Sequence, residues 1–188
     1  MKYLIVGLGN IGAEYANTRH NIGFLVADAL ALDLKTQFST DRYAAMASGK
    51  FKGRQLVIIK PSTYMNLSGK AVAYWMQKES IPLENVLIVV DDVALEPGII
   101  RIKTKGGAGG HNGLLHITEI LGTDAFARLR FGIGNNFARG FQVDYVLGKW
   151  SKEEEKMLPP RIDIAVEAVK SFSTIGAERT MNYYNTNR

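Results

Sequence analysis

Val86-Leu-Ile-Val-Val-Asp-Asp92 is a run of five apolar residues, four of them β-branched, closed by two carboxylates. A run of this kind between polar residues predicts a central strand buried on both faces. Upstream of it, Ser68 to Glu79 reads as a helix, and Ile81 and Pro82 interrupt before the strand begins. Tyr43 to Lys50 and Gln55 to Lys60 are strand-like runs joined by Phe51, Lys52, Gly53 and Arg54, a hairpin in which glycine supplies the turn. Further back, apolar residues at 22, 25, 26, 29, 30 and 32 follow helical spacing from Ile22 to Leu34, and Lys2 to Leu8 reads as a short buried strand. Downstream, Ile99 to Lys103 alternates apolar and basic side chains, a helix is predicted from about Asn112 to Leu121, and Arg128 to Ile133 alternates again, with Arg128 and Arg130 on one face. Ser151 and Glu154 form a capping box for a C-terminal helix, which Pro159 and Pro160 are expected to break or kink before the stripe Ile162, Ala165, Val166, Val169 and Phe172. Strands separated by helices give an α/β class, and the hairpin makes the sheet mixed. The expectation is a single domain over 1–188, a twisted mixed β-sheet surrounded by helices.

Composition narrows the chemistry. A chain of 188 residues, 46% hydrophobic, buries roughly 70% of its unfolded surface and needs no staples. It has no cysteine, which excludes a disulfide framework, thiol catalysis and sulfur-ligated zinc. Its apolar runs fall far short of the roughly 18 residues of a membrane span, and the N-terminal run Tyr3 to Val6 stops at Gly7, too soon for a signal peptide. A soluble cytoplasmic protein is expected. Of the formal net charge of +5, the segment Ile99 to Arg139 holds +4, from six bases (Arg101, Lys103, Lys105, Arg128, Arg130, Arg139) and two acids (Glu119, Asp124). Basic charge clustered in this way points to a polyanionic partner.

Gly7, Gly9 and Gly12 satisfy G-x-G-x-x-G after a strand, but no helix opens at the third glycine and no acid closes a second strand at the required distance. These glycines read as a tight strand-to-loop turn. The polar loop from Asn10 to Asn21 is more informative. Loops at the carboxyl ends of strands form the binding crevice of α/β proteins, and Asn10 and His20 lie on one while Asp91 ends another strand. A carboxylate holding one imidazole nitrogen leaves the other free as a general base. No G-x-S-x-G elbow surrounds any serine, and Ser62 and Ser68 read as turn or cap residues, so water is the natural target of a His20 base. His111 and His116 are five apart and do not match the i, i+4 spacing of a helical metal site; metal-free hydrolysis with no cofactor fits better. Asn66, like Asn10 and Asn112, is an amide suited to a developing oxyanion. Gly106-Gly-Ala-Gly-Gly-His-Asn-Gly113, preceded by Arg101, Lys103 and Lys105, is a candidate phosphate cradle at a helix N-terminus.

Gly7-Leu-Gly-Asn-Ile-Gly-Ala-Glu-Tyr-Ala-Asn-Thr-Arg-His-Asn-Ile-Gly23, Lys60-Pro-Ser-Thr-Tyr-Met-Asn-Leu-Ser-Gly69, Gly106 to Gly113, Arg128-Leu-Arg-Phe-Gly-Ile-Gly134 and Asp144-Tyr-Val-Leu147 together resemble bacterial-type peptidyl-tRNA hydrolases, in order and at family spacing. The resemblance implies an enzyme that cleaves the ester between a peptide and the 3′ end of tRNA, with peptidyl-tRNA as partner, no membrane, and a monomeric state. By similarity His20 is the base on water and Asp91 its holder. Asn10, Asn66 and Asn112 would position substrate, water or oxyanion. Tyr15 would contact the tRNA end, while Tyr64, Met65, Gly109, Gly110 and His111 would line the peptide groove. Arg101, Lys103 and Arg130 fall where the family clamps tRNA phosphate. A non-enzymatic RNA- or nucleotide-binding module built on the glycine loops is the other reading; it leaves His20, Asp91 and the asparagines unused.

Overall fold

In the computed structural model, which describes residues 1–186, the run at Val86 becomes β5 (Val86–Asp92), near the middle of a seven-stranded sheet. The other strands are β1 (Lys2–Gly7), β2 (Ser39–Asp41), β3 (Ala44–Phe51), β4 (Arg54–Pro61), β6 (Ile100–Lys103) and β7 (Ala127–Gly132), in the order β2-β3-β4-β1-β5-β7-β6. β4, β1, β5 and β7 run parallel, while β2–β3, β3–β4 and β6–β7 pair antiparallel. The mixed sheet expected from the hairpin is therefore present, and its two-residue turn places Lys52 and Gly53 both at positive φ.

Side-chain alternation divides the core. Leu87 and Val89 of β5 pack with Ile5, Ile58, Leu129 and Phe131 under α1 (Ile22–Asp33) and α5 (Lys152–Ile175), where Leu30, Val169 and Phe172 complete one layer. Val86, Ile88 and Val90 point the other way, with Leu4, Val6 and Ile59, against Trp75 of α2 (Ser68–Glu79) and Ile117 of α3 (Asn112–Leu121). Helices on both faces explain why β5 is apolar without alternation.

Two short helices escape the sequence reading: α4 (Gln142–Val146) and α6 (Ala177–Tyr184). The expected break at Pro159 and Pro160 does not occur, because α5 runs unbroken through both. The prolines deprive only the carbonyls of Glu155 and Lys156 of their i+4 donors, and those residues are exposed, so water can replace the missing bonds. Leu158, Ala165, Val166 and Val169, buried in the same layer, keep the helix seated. Its capping box forms as expected, Glu154 N donating to Ser151 Oγ and Ser151 N to Glu154 Oε1.

The glycines at the end of β1 allow a close crossing. A Cβ on Gly7 would lie 2.1 Å from Gly23 O, and one on Gly23 would lie 2.4–2.6 Å from Leu8 N, Leu8 O and Val89 O. This contact presses the start of α1 onto the ends of β1 and β5 and holds the preceding turn at the sheet edge. Gly23→Ala must push rigid backbone apart, an overpacking cost of about 3 kcal/mol, equivalent to a fall in Tm of roughly 6–12 °C for a chain of this size. A thermal melt within about 2 °C of the unsubstituted protein contradicts that placement.

Candidate active site

The carboxyl ends of β1, β4 and β5 meet at one edge of the sheet, where α/β proteins bind their ligands. His20 reaches it from the 3-10 turn Arg19–Asn21 that precedes α1, and Asp91 from within β5. His20 Nδ1 lies 2.8 Å from Asp91 Oδ2. His111 Nε2 lies 2.8 Å from Asp91 Oδ1, so one carboxylate sits between two imidazoles whose ring centroids are 5.0 Å apart.

The tautomers follow from the donors. His111 precedes α3, and its Nδ1 accepts from Gly113 N and Leu114 N. Backbone N–H groups only donate, so Nδ1 is unprotonated and the proton is on Nε2, directed at Asp91. Asp91 is 5% exposed. Burial alone would push its carboxyl up, but its two imidazole partners, His111 and then His20, outweigh burial and hold it well below the usual carboxylate range. As an ionised acceptor it takes Nδ1–H from His20, which leaves Nε2 as the free nitrogen of that ring. The same bonds weigh against a metal here, although His20, Asp91 and His111 lie close enough to share one. Ligation through His111 Nε2 would move the ring proton to Nδ1, facing two N–H donors with no acceptor.

Asn10 is fixed on three sides. Its N donates to Asn21 Oδ1, its carbonyl accepts from Asn21 Nδ2, and its Oδ1 accepts from Met65 N. With Oδ1 engaged, the side-chain NH2 is the part left to donate. Asn21 is buried; in sequence it is one more residue of the polar loop, and its bidentate grip on a neighbouring backbone has no signature there.

These residues open into a cavity of about 760 Å³. Asn10, His20, Met65, Asn66, Asp91, Gly109, Gly110, His111 and Asn112 line it, as do Lys103 and Arg130. Tyr15, Tyr64 and Arg101 do not. Tyr64 is 52% exposed outside the cavity, and the Arg101 guanidinium turns back to the carbonyl of Ile100. Val143, Val146 and Leu147, on or just after α4, form a wall that the sequence reading lacked. A second cavity of about 340 Å³, bordered by Arg161, Tyr183 and Tyr184, lies among α5, α6 and β6, away from these strand ends.

The basic segment is thinner than its charge suggests. Arg128 is fully buried, and it donates to the carbonyls of Gly106, Gly107, Asp124 and Phe126. It therefore staples the glycine loop to β7 and is closed to a partner. Arg130 is ion-paired with Asp92 at 3.3 Å. At the α3 N-terminus, where a phosphate cradle was expected, the N–H groups of Gly113 and Leu114 are already taken by His111 Nδ1.

Comparison with known proteins identifies the family. Residues 4–188 match the family described as Peptidyl-tRNA hydrolase. The chain is 61% identical to the peptidyl-tRNA hydrolase of Phocaeicola vulgatus over 185 residues, covering 98% of this chain and 99% of that protein. It is 55% identical to that of Cytophaga hutchinsonii over the full length of both. Among solved structures, peptidyl-tRNA hydrolase from Acinetobacter baumannii superposes with a TM-score of 0.92 at 38% identity, covering 99% of this chain and 95% of that one.

Proposed function

The chain belongs to the peptidyl-tRNA hydrolase family, and from this premise we propose that its edge cavity hydrolyses the ester joining a peptide to tRNA, with His20 as general base on water. The observation that carries the reading is the 2.8 Å bond from His20 Nδ1 to Asp91, on a residue that lines the cavity. In the proposed cycle, water attacks the acyl carbonyl as His20 Nε2 takes its proton. The carbonyl oxygen becomes an oxyanion within reach of amide donors, for which Asn10 Nδ2, Asn66 and Asn112 are the candidates. When the tetrahedral species collapses, the ribose oxygen leaves and receives the proton from the imidazolium. The products are tRNA with a free hydroxyl and the peptide, whose new carboxyl group releases its proton to solvent. Asp91 stays ionised throughout, holding the tautomer and stabilising the transient imidazolium. Met65, Gly109, Gly110 and His111 then border the peptide, and Tyr15 and Tyr64, outside the cavity, meet substrate further out. The enzyme works as a cytoplasmic monomer without a cofactor.

A defined peptidyl-tRNA incubated with the protein and a chelator tests the reading. Release of peptide that is insensitive to chelator supports it; binding without release supports a non-catalytic RNA-binding module instead.

Lys103 and Arg130 are proposed to hold tRNA phosphate. Lys103→Ala is expected to weaken tRNA binding and to flatten the slope of log K against log salt by roughly 0.7–0.9 per lost phosphate contact. Arg101→Ala, outside the cavity, is expected to change that slope less. Equal slopes for Lys103→Ala and the unsubstituted protein in a salt titration place the clamp elsewhere.

A further inference from the structure

Arg19 is the residue before His20, and its side chain turns away from the catalytic group into the junction between α4 and α5. Its Nη1 donates to Tyr145 O at 3.0 Å and its Nη2 to Glu154 Oε1 at 2.9 Å. The guanidinium carbon lies 4.1 Å from the Tyr145 ring centroid, and its backbone N donates to Gly148 O. The side chain is 13% exposed. Thr18 forms a β-bridge with Lys149 alongside. Gly148 leaves room for this approach: a Cβ there would come 3.0 Å from Arg19 Nη1, a tight contact.

We propose that Arg19 is a positioning residue that locks the His20 turn to α4, so that the cavity wall and the catalytic base move as one unit. Both ends of the link have defined anchors. Glu154 Oε1 accepts from Arg19 and from Ser151 N, so the same oxygen caps α5 and holds the arginine. Burial would raise the Glu154 carboxyl, but the backbone N–H of Ser151 and the Arg19 guanidinium outweigh it and hold the group ionised. Tyr145 Oη donates to Ile133 O at 2.6 Å, which ties α4 to the chain leaving β7. Val143 and Val146 of α4 line the cavity. On the other side of His20, Asn21 grips the backbone of Asn10. Three consecutive residues thus join three walls: Arg19 the α4–α5 junction, His20 the end of β5, and Asn21 the loop after β1.

A forked, planar cation is required. Lysine can pair with Glu154, but it cannot also reach the Tyr145 carbonyl in the same plane while stacking on the ring. Arg19→Lys and Arg19→Ala test the link by steady-state peptide release and by NMR of the histidine rings, at a temperature where both variants are folded. Arg19→Ala is expected to lower kcat/KM on the order of 10²-fold, the scale of a 1 Å misplacement. Arg19→Lys is expected to keep the fold and recover only part of that loss, with KM raised and kcat lowered together. The His20 ring resonances shift in both variants, whereas those of His116, which accepts from Gly69 N at the start of α2, stay in place. Full recovery by lysine, or a lowered Tm with unchanged kinetics and unchanged His20 resonances, overturns the proposal and leaves Arg19 a structural residue. The inference rests on His20 being the base. Failure of that reading is seen separately, as peptide release that survives loss of His20.

Discussion

His20→Ala is expected to lose peptide release by at least the 10²- to 10⁴-fold that a positioned general base typically contributes, while tRNA binding stays near that of the unsubstituted protein. The separation follows from where the groups sit. Lys103 and Arg130 line the same cavity but make no bond to the His20 ring, so phosphate contacts survive its loss. The fold should survive as well, since Asp91 keeps the His111 N–H and its ionised form retains a donor. A rate for His20→Ala within a few-fold of the unsubstituted enzyme would mean that another group activates water.

Asp91→Asn is expected to be nearly as severe, for a different reason. The carboxylate accepts from two imidazoles, but an amide has one acceptor oxygen and one donor nitrogen. His111 cannot reverse its ring without placing a proton against Gly113 N and Leu114 N. The amide oxygen therefore faces His111 and the NH2 faces His20. His20 must then accept through Nδ1 and carry its proton on Nε2, the nitrogen needed as base. Inverting the tautomer of a catalytic histidine costs on the order of 10⁴-fold in kcat. Stability also changes with pH in a definite direction. The Asp91 carboxyl is depressed in the fold relative to an unfolded value of about 3.9, so its contribution is fully present above that pH. It is lost as pH falls through 3.9 towards the lower folded value. Urea melts should show the stability gap between the unsubstituted protein and Asp91→Asn shrinking below about pH 4; a gap that widens there contradicts the assignment.

Local pattern carried much of the architecture. β-branched continuity marked β5, helical spacing marked α1 and α2, and Gly53 marked the hairpin, because each is imposed by the residues that form it. Pro159 and Pro160 misled because the rule against interior proline is local, while the burial of Leu158 and Val169 that holds α5 together is not. For the site, the pairing of His20 with Asp91 was legible, since strand ends in an α/β sheet converge. The second imidazole was not. His111 was expected only as groove lining, and its place depends on α3 being capped by its ring and on a partner 20 residues away in sequence. Arg128 and Arg130 share a strand face as their alternation implied, yet one is sealed behind the glycine loop and the other opens into the cavity. Alternation assigns a face; the packing of the loop over that face decides which cation is available.

The central claim is that both imidazoles donate a hydrogen bond to the ionised Asp91 and that His20 thereby keeps an unprotonated Nε2 in the cavity. Nitrogen-15 NMR of the imidazoles in the free protein at alkaline pH reads this directly. The account predicts His20 protonated on Nδ1 with a bare Nε2, and His111 protonated on Nε2 with an accepting Nδ1. A His20 ring protonated on Nε2 would leave no base facing the substrate and would contradict it.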